Sequence, residues 1–185
     1  MKYAAYALAS VLCLAGCNKG PEVNLKNATA GQVTQAVKQS GVMTSDSMVQ
    51  PGLWESKVTI QQMDLPGVPA QYLDRMKQSM AEHRNESSRH CIKPEDVKKP
   101  KEDFFGADKN CKYDHFTMGG GKIDIAMVCH EEDTTQTMNG TGSYTPTSYS
   151  IDTSMTGTGG RQNGMAMKMH VDAQRIGECT GKDDD

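Results

Sequence analysis

Two eight-residue segments, Cys111–Met118 and Lys122–Cys129, flank the triplet Gly119-Gly120-Gly121, and each carries a cysteine at its far end. A glycine run between two alternating segments is turn chemistry, because glycine reaches the positive φ of a tight hairpin at no steric cost. Centring the turn on Gly120 sets Cys111 opposite Cys129, Tyr113 opposite Met127 and His115 opposite Ile125. Lys112, Asp114, Lys122 and Asp124 then fall mostly on the other face. Directly opposite residues of an antiparallel pair lie about 4.5–5.5 Å apart at Cα, within reach of a disulfide. One register therefore serves both the burial pattern and a Cys111–Cys129 bond.

Whether those cysteines are oxidised depends on the compartment, and the N-terminus speaks to that. Residues 1–17 read MKYAAYALASVLCLAGC. One Lys2 and a short apolar run match the n- and h-regions of a signal peptide, and the run is too short to be a lasting membrane span. Leu14-Ala15-Gly16-Cys17 resembles the bacterial lipobox, in which the cysteine is diacylated, the chain is cut before it, and the new amino group is acylated too. Several chains anchor stably where one does not, since each buried CH₂ contributes about 0.8 kcal/mol. Asn18 after the cysteine points, by the enterobacterial sorting pattern, to the outer membrane. The expectation is a lipoprotein of the bacterial envelope, anchored through Cys17 and facing the periplasm.

Six cysteines then divide into classes: Cys13 leaves with the signal peptide and Cys17 carries lipid. Cys91, Cys111, Cys129 and Cys179 remain, an even number in an oxidising compartment, which implies two disulfides. Given Cys111–Cys129, Cys91–Cys179 follows by elimination. A zinc site is the rival use of four cysteines, but no C-x-x-C knuckle is present. Removing residues 1–16 takes away only Lys2 among the charges and leaves 169 residues at a formal −4. A mildly acidic chain without a basic stripe argues against nucleic acid as a partner. Aromatics are only 5%, with Trp54 the single tryptophan, so the core is modest and covalent staples matter.

Along the chain, residues 18–28 read as a polar tether. Thr29–Gln39 reads as a small helix with Asn27 or Thr29 as N-cap and Gly41 as its stop. A polar stretch follows to Gln50. Leu53–Met63 alternates as a half-buried strand, with Trp54, Val58 and Ile60 on one face. Pro69 opens a helix to about Arg84, along which Leu73, Met76 and Met80 recur. Ser88–Ile92 is a short strand carrying Cys91, and Glu95–Lys98 a helical turn. After the hairpin come strands Thr134–Thr145, Ser148–Thr156 and Met165–Arg175, with a glycine-rich loop at Gly157–Gly164 and no internal repeat. The expected fold is α+β: mainly an antiparallel β meander, as a curled sheet or partly open barrel, with one or two short helices and two disulfides. The expected organisation is a signal peptide (1–16), lipidated cysteine and tether (17–28), short helix and linker (29–50), a disulfide-stapled β-rich domain (51–180) and an acidic tail (181–185).

These landmarks resemble the DUF3617 family: the lipobox Cys17, a helix before the first strand, Pro51-Gly52-Leu53-Trp54-Glu55, the Cys91 strand, the hairpin cysteines, and the ending Arg175-x-Gly177-x-Cys179. The resemblance runs from about Gly41 to Cys179. It implies a small exported proteobacterial protein, frequently a lipoprotein, and supplies no catalytic residue, since the family's function is unknown.

Chemistry-bearing motifs are sparse. No G-x-S-x-G is present, and oxidised cysteines are not nucleophiles. His83, His90, His115, His130 and His170 show no metal-binding spacing, and His90 and His130 point away from their neighbouring cysteines if both lie on strands. Met165, Met167 and Met169 alternate on the last strand and are soft-metal candidates, since thioethers suit Cu(I). Alternate residues on a strand are about 6.8 Å apart, so a second strand must help, and Met155 is placed to do so. Their simpler reading is core packing, which methionine does well. The expected role is non-enzymatic, without a cofactor: an envelope binding or scaffold module whose partner is an envelope protein or small ligand. The alternative is a carrier of a small apolar ligand or a soft metal.

Overall fold

The computed structural model describes residues 20–42, 49–82, 87–98 and 109–181. Residues 1–16, read as a signal peptide, together with Cys17, residues 43–48, His83 and Asp183–Asp185, lie outside them. Eight strands form one unclosed sheet: β1 Glu22–Thr29, β2 Gly52–Asp64, β3 Ser88–Ile92, β4 Cys111–Gly119, β5 Lys122–Glu131, β6 Thr134–Thr145, β7 Ser148–Thr158 and β8 Met165–Gly177. Their spatial order is β1-β4-β5-β6-β7-β8-β2-β3, and every neighbouring pair is antiparallel. The consecutive meander β4–β8 fills the middle, while the N-terminal strands close on its two edges. The α+β, mainly antiparallel, twice-stapled fold is as expected. Three helices accompany it: α1 Ala30–Ser40, α2 Ala70–Glu82 and the single turn α3 Pro94–Lys98.

Residues 22–28 are not a tether. They form edge strand β1, paired with β4 from Glu22↔Gly119 to Thr29↔Lys112. Their polar residues line its exposed face while Val23 and Ala28 are buried. Strand β1 runs directly into α1, whose entry the sequence specifies. Thr29 caps the helix as the donor-poor N-terminus requires: its Oγ1 accepts from the Gln32 backbone N–H at 3.3 Å, and the Gln32 side chain accepts from the Thr29 N–H at 2.8 Å. Gly41 ends the helix in the left-handed region, at φ 71°. Val33 and Val37 on the inner stripe are fully buried.

The hairpin is as expected at its ends and differs in the middle. Cys111↔Cys129 and Tyr113↔Met127 are direct partners, but Asp114 is skipped as a β-bulge, so His115 pairs with Ala126 and Phe116 with Ile125. The turn is therefore two residues, Gly120-Gly121, both at positive φ (56° and 76°). The bulge turns His115 outward, where Nε2 lies 2.9 Å from Asp124 Oδ1, and it seats Phe116 and Met118 in the core. Cys111–Cys129 joins neighbouring strands, and Cys91–Cys179 ties β3 to the segment after β8 across 88 residues of chain.

Cross-strand register arranges the inward side chains in rows. One row runs Val23, Met118, Ile123, Gly142, Ile151, Val171, Val58; the next runs Leu25, Phe116, Ile125, Gly140, Thr153, Met169, Ile60. Strand β6 contributes no side chain to either row, and neighbouring chains approach closely there. A Cβ on Gly142 would meet Ser150 O at 2.3 Å and Ile151 Cα at 2.9 Å. Inward glycines on one strand let the sheet bend tightly at that strand.

Candidate functional site

The inner face is roofed unevenly. Helix α1 packs on β1 and β4, and under it Met118 and Phe116 are fully buried. Beyond the β6 glycines burial falls away: Ile151, Val171, Met169 and Ile60 are half-buried, and Val58 is 50% exposed. Helix α2 does not roof this half. Met76, part of the apolar stripe read as Leu73, Met76 and Met80, is 38% exposed, and Tyr72 beside it 51%, so this stripe is not laid on the sheet. The result is an apolar strip across β7, β8 and β2. A separate open cleft of about 650 Å³ lies at the rim of the sheet and is lined mainly by polar residues, Glu55, Lys57, Ser150, Asp172 and Gln174 among them. Burial raises the pKa of Tyr144 and Tyr149 above the ordinary tyrosine range.

Met165, Met167 and Met169 lie on this face and are half-buried, outside the packed core cluster, which corrects the reading of them as core filling. Met155 is the direct partner of Met167, while Met165 faces Gly157 and Met169 faces Thr153. The second-strand methionine expected from the sequence, Met155, is thus in place, while Met127, Met138 and Met63, which continue the same row across the sheet, were not foreseen.

On the outer face, His170 sits between Asp152 on β7 and Asp172 on its own strand. Its Nδ1 lies 2.7 Å from Asp152 Oδ1 and its Nε2 3.1 Å from Asp172 Oδ2, with Ser150 Oγ 3.4 Å from the same Nε2. Both ring nitrogens face carboxylates, so the imidazolium alone can donate to both. The Asp152 hydrogen bond, aided by the Asp172 charge, raises the His170 pKa. The order Ser150–His170–Asp152 copies the connectivity of a nucleophilic triad, yet a protonated ring has no lone pair to accept the serine proton. The clamp instead acts on stability. The charged ring contributes fully below its unfolded pKa, about 6.5, and the contribution is lost as pH rises through the higher folded value. The thermal midpoint should therefore fall across that window, and His170→Gln should flatten the fall. An NMR titration giving His170 an ordinary pKa would contradict the clamp.

The two most specific sequence motifs meet at one corner. Arg175 Nε donates to Pro51 O at 2.8 Å, and its guanidinium also pairs with Glu178. Gly52 lies at φ 143°, with a would-be Cβ 2.5 Å from Gly177 O and 2.6 Å from Arg175 Nε, so no other residue fits there. Leu53 pairs with both Cys91 and Gly177, and Cys179 closes the corner through its disulfide. Trp54 is wholly buried, stacks on Tyr149 at 5.8 Å, and donates from Nε1 to Gln50 O at 3.0 Å. These residues build architecture rather than a reactive centre. Glu55 beside them is half-buried, and hydrogen bonds from Ser87 and Arg89 lower its carboxyl pKa. Among the described residues no three His, Cys, Asp or Glu side chains gather as a metal site, and no helix is long and apolar enough to cross a membrane.

An unclosed antiparallel meander, stapled at both ends and roofed over half of one face, defines a small disulfide-bonded β-sheet domain with an open apolar surface. A family model described as protein of unknown function (DUF3617) matches residues 49–179, and the chain belongs to that family. The match begins after β1 and α1, so the elements that roof the sheet lie outside it. No curated protein and no solved structure matches the chain.

Proposed function

We propose that the protein is a lipid-anchored envelope module, without catalysis of its own, that binds an apolar chain such as a lipid acyl group on the open half of its sheet. The observation that carries this reading is the loss of cover from Ile151, still packed against the core, through Val171 to Val58, half exposed, along one row of apolar residues. Contiguous exposed apolar surface in a small domain marks a binding site more often than chance packing. Methionines beside this row add a surface that adapts to a flexible ligand.

The lipobox supports the anchor. Lipid on Cys17 leaves residues 18–21 before β1 begins at Glu22, a reach of about 18 Å at full extension. The domain then works close to its own membrane, where acyl chains are the abundant apolar partner.

Native mass spectrometry of the chain purified from its own envelope should show a diacylglycerol-modified Cys17 and a second, non-covalent acyl ligand. Val58→Glu should abolish that second ligand while changing stability by no more than about 0.5 kcal/mol, as expected of an exposed position. An unmodified Cys17 would remove the anchor, and a Val58→Glu protein that retains the ligand would remove the site.

A further inference from the structure

The third inward row is unlike the other two. It runs Met127, Met138, Met155, Met167, Met63 across β5, β6, β7, β8 and β2, and each methionine is the direct cross-strand partner of the next. Its ends, Met127 and Met63, are buried (3% and 5% exposed), whereas the three central members are half-buried, Met138 against the edge of the core and Met155 and Met167 beyond it. Core filling accounts for the ends. It does not account for three thioethers side by side at half-buried positions, where the parallel rows read Gly142–Ile151–Val171 and Gly140–Thr153–Met169 and never set two methionines opposite each other.

We infer that Met138, Met155 and Met167 form a three-thioether site for a soft monovalent cation of the Cu(I) class. Direct cross-strand partners have Cβ atoms about 4.5–5.5 Å apart, and each sulfur sits two bonds further along a flexible chain. With metal–sulfur bonds of about 2.3 Å, three sulfurs in a trigonal set stand about 4 Å from one another. Met138 and Met167, two strand spacings or about 9.6 Å apart, meet that separation only with both side chains turned in toward Met155. Met155 is the centre, flanked by a partner on each neighbouring strand. Met165 and Met169, diagonal to it on β8, keep the surroundings soft and uncharged. Neutral thioethers discriminate against hard divalent cations, which need oxygen donors. The cysteines of the described residues are all in disulfides and offer no competing thiolate. The site does not depend on acyl binding: that reading rests on Val58 and Val171, this one on a different row.

Anaerobic titration of the full chain with Cu(I) against a chromophoric chelator, and with Ag(I) as a redox-inert substitute, tests it. One equivalent should bind, with a sulfur-only first shell by X-ray absorption. Met155→Leu/Met167→Leu, close in volume to the original side chains, should weaken binding by more than about 100-fold, beyond the 10–100-fold typical of losing an outer-shell partner. Met76→Leu on α2, carrying the same N-terminus, should bind as the wild type does. Retained affinity in the double variant, or nitrogen or oxygen donors in the wild-type spectrum, would overturn the site. The spectrum decides even if the double variant fails to fold. Loss of copper binding with the acyl ligand intact, or the converse, separates the two proposals.

Discussion

Trp54→Ala is expected to cost about 3–5 kcal/mol, the range for removing a large buried aromatic. That would be a large share of the stability of a domain this size. Trp54 is wholly buried where β2 lies between β8 and β3, its ring stacked on Tyr149 with planes 25° apart. The side chain does two things that one substitution cannot replace. Its ring fills the corner between Pro51–Gly52 and Arg175, and its N–H satisfies the Gln50 carbonyl, whose own backbone N–H donates to Pro146 O. Trp54→Phe separates these roles. It keeps most of the apolar contact, loses a hydrogen bond worth about 1 kcal/mol, and leaves a smaller void. Urea unfolding followed by circular dichroism should therefore order the proteins wild type, Phe, Ala at constant m-value. A loss below about 1 kcal/mol for alanine would show that this corner can collapse around the gap.

That corner was legible as a pattern before it was legible as a structure. Pro51-Gly52-Leu53-Trp54-Glu55 and Arg175-x-Gly177-x-Cys179 stand 120 residues apart, and nothing local says that Gly52 exists to let Arg175 and Gly177 approach. Elements whose signals are local were read closely: a helix N-cap at Asn27 or Thr29, which the structure gives to Thr29, the Gly41 stop, the glycine turn and the alternation of β7. Strand β1 was misread because its sequence, EVNLKNAT, is mostly polar and shifts phase, with Val23 and Leu25 inward and then Ala28. What makes it a strand is the partner β4, which carries the same shift. There the sequence held an unused signal: Tyr113 and Phe116 are both apolar but an odd number apart, so one strand can bury both only through a bulge. The methionine row was half-derivable too. A turn at Pro146-Thr147 sets Thr145 opposite Ser148 and hence Met138 opposite Met155. Joining Met167 and Met63 to them needed the β7–β8 and β2–β8 registers, the second interrupted by an irregularity between Ile60 and Gln62. The uncovered face was not legible at all, because the periodicity of α2 describes an amphipathic helix without saying what it meets.

Removing Cys91–Cys179 should destabilise the protein more than removing Cys111–Cys129. The first bond closes 88 residues of chain and the second 18, so the entropy each withholds from the unfolded ensemble corresponds to about 4.5 and about 3 kcal/mol respectively. Position in the sheet acts in the same direction. Strands β4 and β5 are held to each other by a two-residue glycine turn and on their outer sides by β1 and β6, so their hairpin persists without its sulfur bridge. Strand β3 has five residues and one neighbour, β2, with the exposed Arg89–Glu55 pair adding little. Without the bond, β3 is an edge strand free to leave, and β2 loses cover where Trp54 is buried. Cys91→Ala/Cys179→Ala should then show a lower unfolding midpoint and rapid amide exchange confined first to Ser88–Ile92, whereas Cys111→Ala/Cys129→Ala should keep protection throughout β4 and β5. If the hairpin variant proves the weaker protein, loop closure does not govern these staples, and the bulge at Asp114 becomes the feature the Cys111–Cys129 bond exists to hold. If the order is as expected, the corner is complete only where the Cys91–Cys179 bond can form and persist, in an oxidising environment.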